Sequence, residues 1–394
     1  MALTPLDFPA SPTVGQLYPD PPVTGQPTYR WDGAQWLSYA AASLPTPTKP
    51  NNYGKKNYII NGAMMISQEW GMASFTVSLG YPVDQFIIGF VHGGTCTYAQ
   101  VASATPGGSP NRIRYIATAA DTSVAASDAV YIKTPIEGLR TADLRFGSVS
   151  AKTITIQFGV KAPAGTYCVG VLNGAVNRSY VVEYVIAAGE ANTDVVKSVT
   201  IPGDTTGTWA VDNTAGLNVF WSLMAGTSNQ QAAGSWAATA IFASPNQFNF
   251  MGTINNVFEL FDVSLTEGSV APPFQVPDYA SELALCQRYY QQSFEPGGIA
   301  AAGFIEFDWA ASAAGTLGGG SIILSPTMRS APAVNVYDVA GNPNLITVIN
   351  AGGALTNGQT FNQLTATPKN LRLRLYSIAG AVGLAFQYRV SARL

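Results

Sequence analysis

Histidine and cysteine are almost missing from this chain: 394 residues contain one histidine and three cysteines. The cysteines, Cys96, Cys168 and Cys286, are far apart and odd in number, so they fit neither a disulfide framework nor a paired metal-binding pattern. A zinc site is excluded by the same shortage, and three buried or semi-buried thiols kept under reducing conditions are expected. Charge is scarce too. Charged residues make up 11%, against about 25% in an average soluble domain. The apolar share is an ordinary 47%, so Gly, Ala, Ser, Thr, Asn and Gln take the place of charge. That balance excludes disorder, which needs low hydrophobicity and high net charge. It suits a neutral polar surface, or one partly buried against copies of itself. Twenty basic and twenty-three acidic residues, net −3, form no cluster able to hold a phosphate backbone, so nucleic-acid binding is not expected. No apolar run approaches the roughly 18–20 residues of a membrane helix, and Met1–Pro5 lacks the basic start and apolar core of a signal peptide. The expected product is made in a cytoplasm, stays soluble, inserts in no membrane and leaves by no cleaved signal.

What is present is period-2 patterning and punctuation. Ten of the twenty-five prolines fall in residues 1–50, which excludes helix there and leaves little of it for central strand. Within that stretch Tyr18, Tyr29, Trp31, Trp36 and Tyr39 surround Asp32-Gly33, and Thr28–Trp36 reads as a small hairpin with Asp-Gly as its turn. So many aromatics on so little chain cannot form a core alone, so docking on another surface is expected. Leu44–Pro50 reads as a stiff linker. From about residue 57 to 275, Ile154, Ile156, Phe158 and Val160 alternate with Thr155, Gln157, Gly159 and Lys161. Tyr180, Val182, Tyr184 and Ile186 do the same, as do Leu217, Val219, Trp221 and Leu223. Asn173-Gly174 between two such runs signals a hairpin. Many short strands separated by Gly, Asn, Asp and Pro predict an antiparallel sandwich or jelly roll. Asp278–Gln292 breaks the pattern: Leu283, Cys286 and Tyr290 stand at helical spacing, Asp278 can cap the start, and Pro296-Gly297-Gly298 can stop the run. That predicts a helix of about four turns. Alternation then resumes at Leu371, Leu373 and Leu375, and at Leu384, Phe386, Tyr388 and Val390, predicting a second β domain.

Four features of the sequence could carry chemistry. His92 and Cys96 could pair as base and nucleophile, but four residues apart on a strand they would stand about 13 Å apart. Glu306 and Asp308 alternate on one strand face about 6.6 Å apart, inside the roughly 6.5–9.5 Å of an inverting glycosidase pair. The competing reading places both on the solvated face of a strand that buries Ile305, Phe307 and Trp309. Gly315 and Gly318-Gly319-Gly320 lack a phosphate-loop lysine and read as a flexible loop. Asn177-Arg178-Ser179 matches a glycosylation sequon without a secretory context. No catalytic residue, metal ligand or cofactor is therefore expected. The remaining candidates are aromatic: Trp209, Trp221 and Trp236 in the larger β region and Trp309 in the last. Exposed, such rings could stack on sugar faces; buried, they are sandwich core.

Several motifs occur in a fixed order. Asn57–Gln68 (NYIINGAMMISQ) is followed by Tyr81–Phe86 (YPVDQF), then Gly207–Leu217 (GTWAVDNTAGL) and Gly234-Ser235-Trp236. Gly268–Phe274 (GSVAPPF) and Glu282–Tyr290 (ELALCQRYY) complete the series. Together they resemble a family of phage and prophage tail-fibre proteins, over about residues 57–290. Tyr29–Trp36 (YRWDGAQW) is similar to short N-terminal modules of virion-attached fibres. The chain departs from that pattern at Ser264 and Thr266, where the family usually carries Gln and Glu, and residues 293–394 match only in character. The resemblance implies a homotrimeric fibre with an N-terminal anchor to tail or baseplate proteins, a carbohydrate-binding-like jelly roll and a distal β domain that meets host surface glycan. It assigns virion anchoring to Tyr29, Trp31, Asp32, Gly33 and Trp36, and offers Trp209, Trp236 and Trp309 as receptor contacts. Packing round a threefold axis would also account for the sparse charge.

The expected architecture is thus mainly β. Residues 1–50 form a small anchoring segment and linker, 51–277 a jelly-roll sandwich, 278–292 a connecting helix and 293–394 a distal β-sandwich. The expected role is a non-catalytic tail-fibre component on the virion. A purely structural head, collar or spacer fibre and a polysaccharide-depolymerising tailspike are the alternatives.

Overall fold

The computed structural model describes residues 8–20, 27–38, 57–298, 304–308, 317–376 and 380–394. The chain divides into two units, 1–55 and 56–394. In the small unit, Leu17–Tyr18, Tyr29–Trp31 and Trp36–Ser38 form a three-stranded antiparallel sheet. The hairpin is as predicted, but its loop has four residues, because Trp31 pairs with Trp36 and the Asp32 N–H donates to the Gln35 carbonyl (3.2 Å). The linker at 44–50 lies outside the described residues.

The larger unit opens with a two-layer sandwich, mainly β and antiparallel throughout. Its seven-stranded sheet runs Trp236–Ala237, Ser179–Ile186, Gly165–Asn173, Ala215–Ala225, Ala129–Glu137, Phe86–Val91, Gly80–Val83. The five-stranded sheet runs Val195–Ile201, Ile154–Lys161, Val257–Glu267, Asn111–Ala119, Thr95–Ala102. The alternating sets meet between the layers: Ile154, Ile156, Phe158 and Val160 are fully buried, and the Phe158 ring packs edge-on against Trp221, centroids 5.8 Å apart. Each such side chain contributes about 2–3 kcal/mol of burial. Trp221 is therefore core. The central strand Ala215–Ala225 is buried on its other face as well, since Cys168, Val181 and Phe220 pack with Ala237, Ile241 and Ala243 of the segment that folds back over it. At Asn173 the hairpin forms, again with a longer loop: Asn173 Oδ1 accepts the N–H groups of Asn177 (2.9 Å) and Arg178 (3.1 Å).

The helix is shorter than its periodicity suggested. It spans Tyr279–Gln287, with Asp278 accepting the Ser281 N–H (2.9 Å) as N-cap. Tyr290–Gln292 instead pairs as a strand with Ala381–Ser391, so tertiary pairing overrides helical propensity. Ala381–Ser391 is the spine of the last region: Ile305–Asp308, Ala333–Tyr337 and Ile346–Asn350 also pair with it. A three-stranded sheet, Leu317–Ile323, Asn370–Tyr376 and Gln363–Ala366, packs Leu371, Leu373 and Leu375 into the same core. Gly318–Gly320 is thus a strand, not the flexible loop expected. A Cβ at Gly320 would stand 2.3 Å from the Phe307 ring, so glycine here permits close layer approach.

The two β regions are tied by polar groups. The Arg393 guanidinium lies between the Tyr81 and Tyr290 rings, 3.9 Å from each centroid, and pairs with Glu69, with Asp84 at 3.9 Å. Burial pushes the Asp84 carboxyl up, against the pull of Arg393. Glu137 accepts from Arg288 (2.6 and 3.0 Å) and from the Tyr289 hydroxyl (2.7 Å), and Glu282 accepts the Asn61 N–H. Removing one member of a buried pair strands the other, at about 3–5 kcal/mol. Arg393→Met is expected to lower full-chain stability in urea by that amount, whereas Lys369→Met, in the exposed turn between two strands, should change it by less than about 0.5 kcal/mol. Equal effects of the two substitutions would show that the pair does not hold the regions together.

Candidate functional site

Trp209 and Trp236 are brought together, although they stand 27 positions apart in the chain. Trp236 sits on the edge strand of the seven-stranded sheet, opposite Tyr180. Trp209 lies on the loop between Val195–Ile201 and Ala215–Ala225. Their rings stand 5.7 Å apart, nearly perpendicular, and Phe146 meets both edge-on at 4.8 and 5.9 Å. All three rings are half-buried. The Arg178 guanidinium stands 5.8 Å over the Trp236 ring.

Asp204 organises this patch. Its carboxylate is buried and accepts two hydrogen bonds from Arg178 (2.8 and 2.7 Å), the N–H and hydroxyl of Thr206 (both 3.1 Å) and the Trp209 indole N–H (3.3 Å). Gly207 takes a left-handed φ of +78°, and a Cβ there would stand 2.8 Å from the Arg178 stem; glycine lets the loop close over the arginine. Trp209 Nε1 also donates to the Thr206 carbonyl (3.2 Å), and Trp236 Nε1 to the Pro202 carbonyl (3.2 Å). The indole N–H groups therefore serve the protein, and what remains available is ring surface. The crevice beside Trp209 and Phe146 measures about 20 Å³, room for about one water, so any ligand larger than water must lie upon the rings.

Phe146, Arg178 and Asp204 were not singled out from the sequence. Arg178 stands inside the sequon-like triplet, and Asp204 is marked only by Gly203 and Gly207 on either side. Trp309 lies outside the described residues.

The other candidates are dispersed. His92 and Cys96 do not share a strand, because the chain crosses from one sheet to the other at His92–Gly94. His92 Nδ1 accepts the Gly94 N–H (3.0 Å), and burial pulls the imidazole down. Cys96 is buried, which pushes its thiol up. Glu306 and Asp308 are both exposed on the short strand Ile305–Asp308, with Ile305 and Phe307 packed on the core. Among the described residues, no group of three or more His, Cys, Asp or Glu is placed to hold a metal ion. No helix there is long and apolar enough to cross a membrane. In the small unit, Phe8 stacks on Trp36 (5.0 Å) and meets Tyr18 (5.0 Å) and Tyr29 (5.2 Å), while Trp31 faces Trp36 at 5.6 Å. Asp32 accepts the N–H groups of Ala34 and Gln35 (both 2.8 Å), which hold its carboxyl low, and Gly33 adopts φ +110°. None of the described residues in 8–38 is fully buried.

Burial acts to raise the Asp204 carboxyl, but the Arg178 and Thr206 hydrogen bonds and the Arg178 charge outweigh it, so the net shift is downward from 3.8. A depressed carboxyl contributes stability that is present above its unfolded value and lost as pH falls through its folded value. Asp204→Asn is expected to destabilise the protein by about 2–4 kcal/mol at pH 7. The gap to the parent in urea midpoint should then narrow below about pH 4. A gap that stays constant down to pH 2 would remove Asp204 from this role.

No family model and no curated protein matches this chain. Among solved structures, it is similar to the enzymatically active domain of tailspike protein 4 of bacteriophage CBA120, with 9% identity, 54% of this chain and 21% of that one covered, and a TM-score of 0.28. The match therefore spans about a fifth of that domain's length. It is also similar to the family 11 carbohydrate-binding module of a cellulosomal cellulase of Clostridium thermocellum (14% identity, 50% and 96% covered, TM-score 0.25). A third is discoidin II of Dictyostelium discoideum (11% identity, 69% and 80% covered, TM-score 0.16).

Proposed function

We propose that this chain is a non-catalytic structural component of a bacteriophage tail fibre that adheres to a host surface glycan. The observation that carries the reading is the ledge of Trp209, Trp236 and Phe146, half-exposed and braced by Arg178 and Asp204. Rigid aromatic faces with their polar edges already satisfied suit the apolar faces of sugar rings. Each ring contributes modestly, so useful adhesion needs several copies. A homotrimer supplies them, and linked weak sites raise avidity without new contacts. The aromatic module at Tyr29, Trp31 and Trp36 would join the fibre to tail or baseplate proteins. The ordered motifs from Asn57 to Tyr290 support the fibre assignment.

One observation favours a purely structural virion fibre instead. Both indole N–H groups are consumed internally, as expected of rings that only seal the end of a sandwich. A depolymerase would have to use Glu306 and Asp308, which lie exposed on one short strand.

Trp209→Ala in the full chain is expected to weaken binding to host cells or extracted surface polysaccharide at least about tenfold through lost avidity, with Trp209→Phe retaining most of it. Unchanged adhesion by a folded Trp209→Ala protein would sink the ledge as receptor site. Immunogold labelling on the head or collar would favour the structural fibre. Release of reducing ends, abolished by Glu306→Gln, would make the protein an enzyme.

A further inference from the structure

The outer face of the five-stranded sheet carries an open cleft of about 380 Å³, away from the ledge in sequence and lining. Strand register builds its floor. Glu259 is opposite Arg114 on one side and Lys161 on the other, so the three side chains form a row across neighbouring strands. Glu259 is buried, and its two oxygens are already engaged, by Arg112 (2.8 Å) and by Arg114 Nε (2.6 Å). Arg112 is in turn held by Asp194 through two hydrogen bonds (2.8 and 3.0 Å). Two carboxylates thus stand against three cations. The Arg114 side chain is 39% exposed, and beyond Glu259 it has no partner among the described residues. Lys161, partly exposed, has no ion-pair partner among them.

Two asparagines border this surplus of positive charge. Asn192 and Asn255 are exposed and hold left-handed φ values of 57° and 66°, a conformation that asparagine tolerates better than most residues. Their backbones are pinned, Asn192 N–H to the Ala162 carbonyl (2.8 Å) and Asn255 N–H to that of Ala117 (2.8 Å). Neither carboxamide makes a hydrogen bond within the described residues. The cleft therefore presents a guanidinium and an ammonium with unused donors, two amides on pinned backbones, and the partly exposed apolar sides of Ile116 and Val257. An arginine fork matches carboxylate geometry, and carboxamides serve hydroxyl groups as donor and acceptor alike.

We propose that this cleft binds a carboxylate-bearing saccharide, with Arg114 and Lys161 on the carboxylate and Asn192 and Asn255 on neighbouring hydroxyls. The inference rests on the glycan-binding reading but uses none of its ledge residues. One lysine without an ion pair and one arginine with unused donors are too few for a polyanion such as nucleic acid.

The test is titration calorimetry on the full chain with three acidic probes: tetragalacturonate, a mannuronate tetramer and sialyl-lactose. Each is paired with its methyl ester or neutral counterpart. At least one acidic probe is expected to bind at least about tenfold more tightly than its neutral match, and more weakly as salt rises. Lys161→Met should reduce that binding at least about fivefold. So should Asn192→Gly with Asn255→Gly, in which glycine keeps the left-handed turns and removes only the amides. Trp209→Ala should leave acidic-probe binding unchanged. Failure of all three probes, equal binding of neutral and acidic forms, or indifference to Lys161→Met overturns the proposal. Loss of host-polysaccharide adhesion in Trp209→Ala with no acidic-probe binding by the parent would leave the ledge standing and remove the cleft alone.

Discussion

The packing of Arg393 between Tyr81 and Tyr290, with Glu69 and Asp84 beside it, joins the first β region to the second, together with the contacts of Glu137 to Arg288 and Tyr289. Tyr81 and Asp84 belong to the opening of the first β region, Tyr290 to the strand after the helix, and Arg393 follows the spine strand of the second. A guanidinium can do this because it stacks on rings through its faces while its edge donates to carboxylates. An ammonium would satisfy one demand at the expense of the other. Gln68 extends the same arrangement, donating to the Tyr290 carbonyl (2.8 Å). The helix is short for the same reason: Arg288 is drawn to Glu137, and Tyr290–Gln292 is captured by the spine strand.

Period-2 patterning made the sandwich legible, because Ile154–Val160 and Leu371–Leu375 place every second side chain in a core and the pleat admits no other solution. It misled where a strand is covered on both faces or replaced by glycine. Ala215–Ala225 is buried almost throughout, so its alternation marks one of two cores. Gly318–Gly320 carries no side-chain period at all and is held in its sheet by pairing with Leu373–Leu375. The helix boundary failed in the usual direction, since the spacing of Leu283, Cys286 and Tyr290 describes a possible face and not the competing offer of a strand edge.

The ledge was half legible. Trp209 and Trp236 stand out by residue type, but their approach depends on Asp204 and Arg178, two ordinary charged residues 26 positions apart. Nothing local distinguishes that pair from a solvated one. The cleft was not legible at all. Arg114, Lys161 and Glu259 become neighbours only through the register of three strands drawn from distant parts of the chain, and no pattern of spacing encodes it.

Scarcity of charge, first read as a sign of chains wrapped round one another, has a second explanation inside a single chain. Arg112, Arg178, Arg288 and Arg393 are each committed to carboxylates that are at least four-fifths buried on one side of the pair. Buried charges of this kind stabilise only when paired, and each needs its partner in an exact place. With these four arginines spent on holding loops and layers, an arginine with unused donors beside a lysine without an ion pair stands out. A chain that used charge merely for solubility would scatter such residues over its exterior. Here they meet across neighbouring strands, above a carboxylate already satisfied, between two asparagines whose backbones are fixed and whose amides are not. The paired arginines elsewhere in the fold are what give that unbalanced row its meaning.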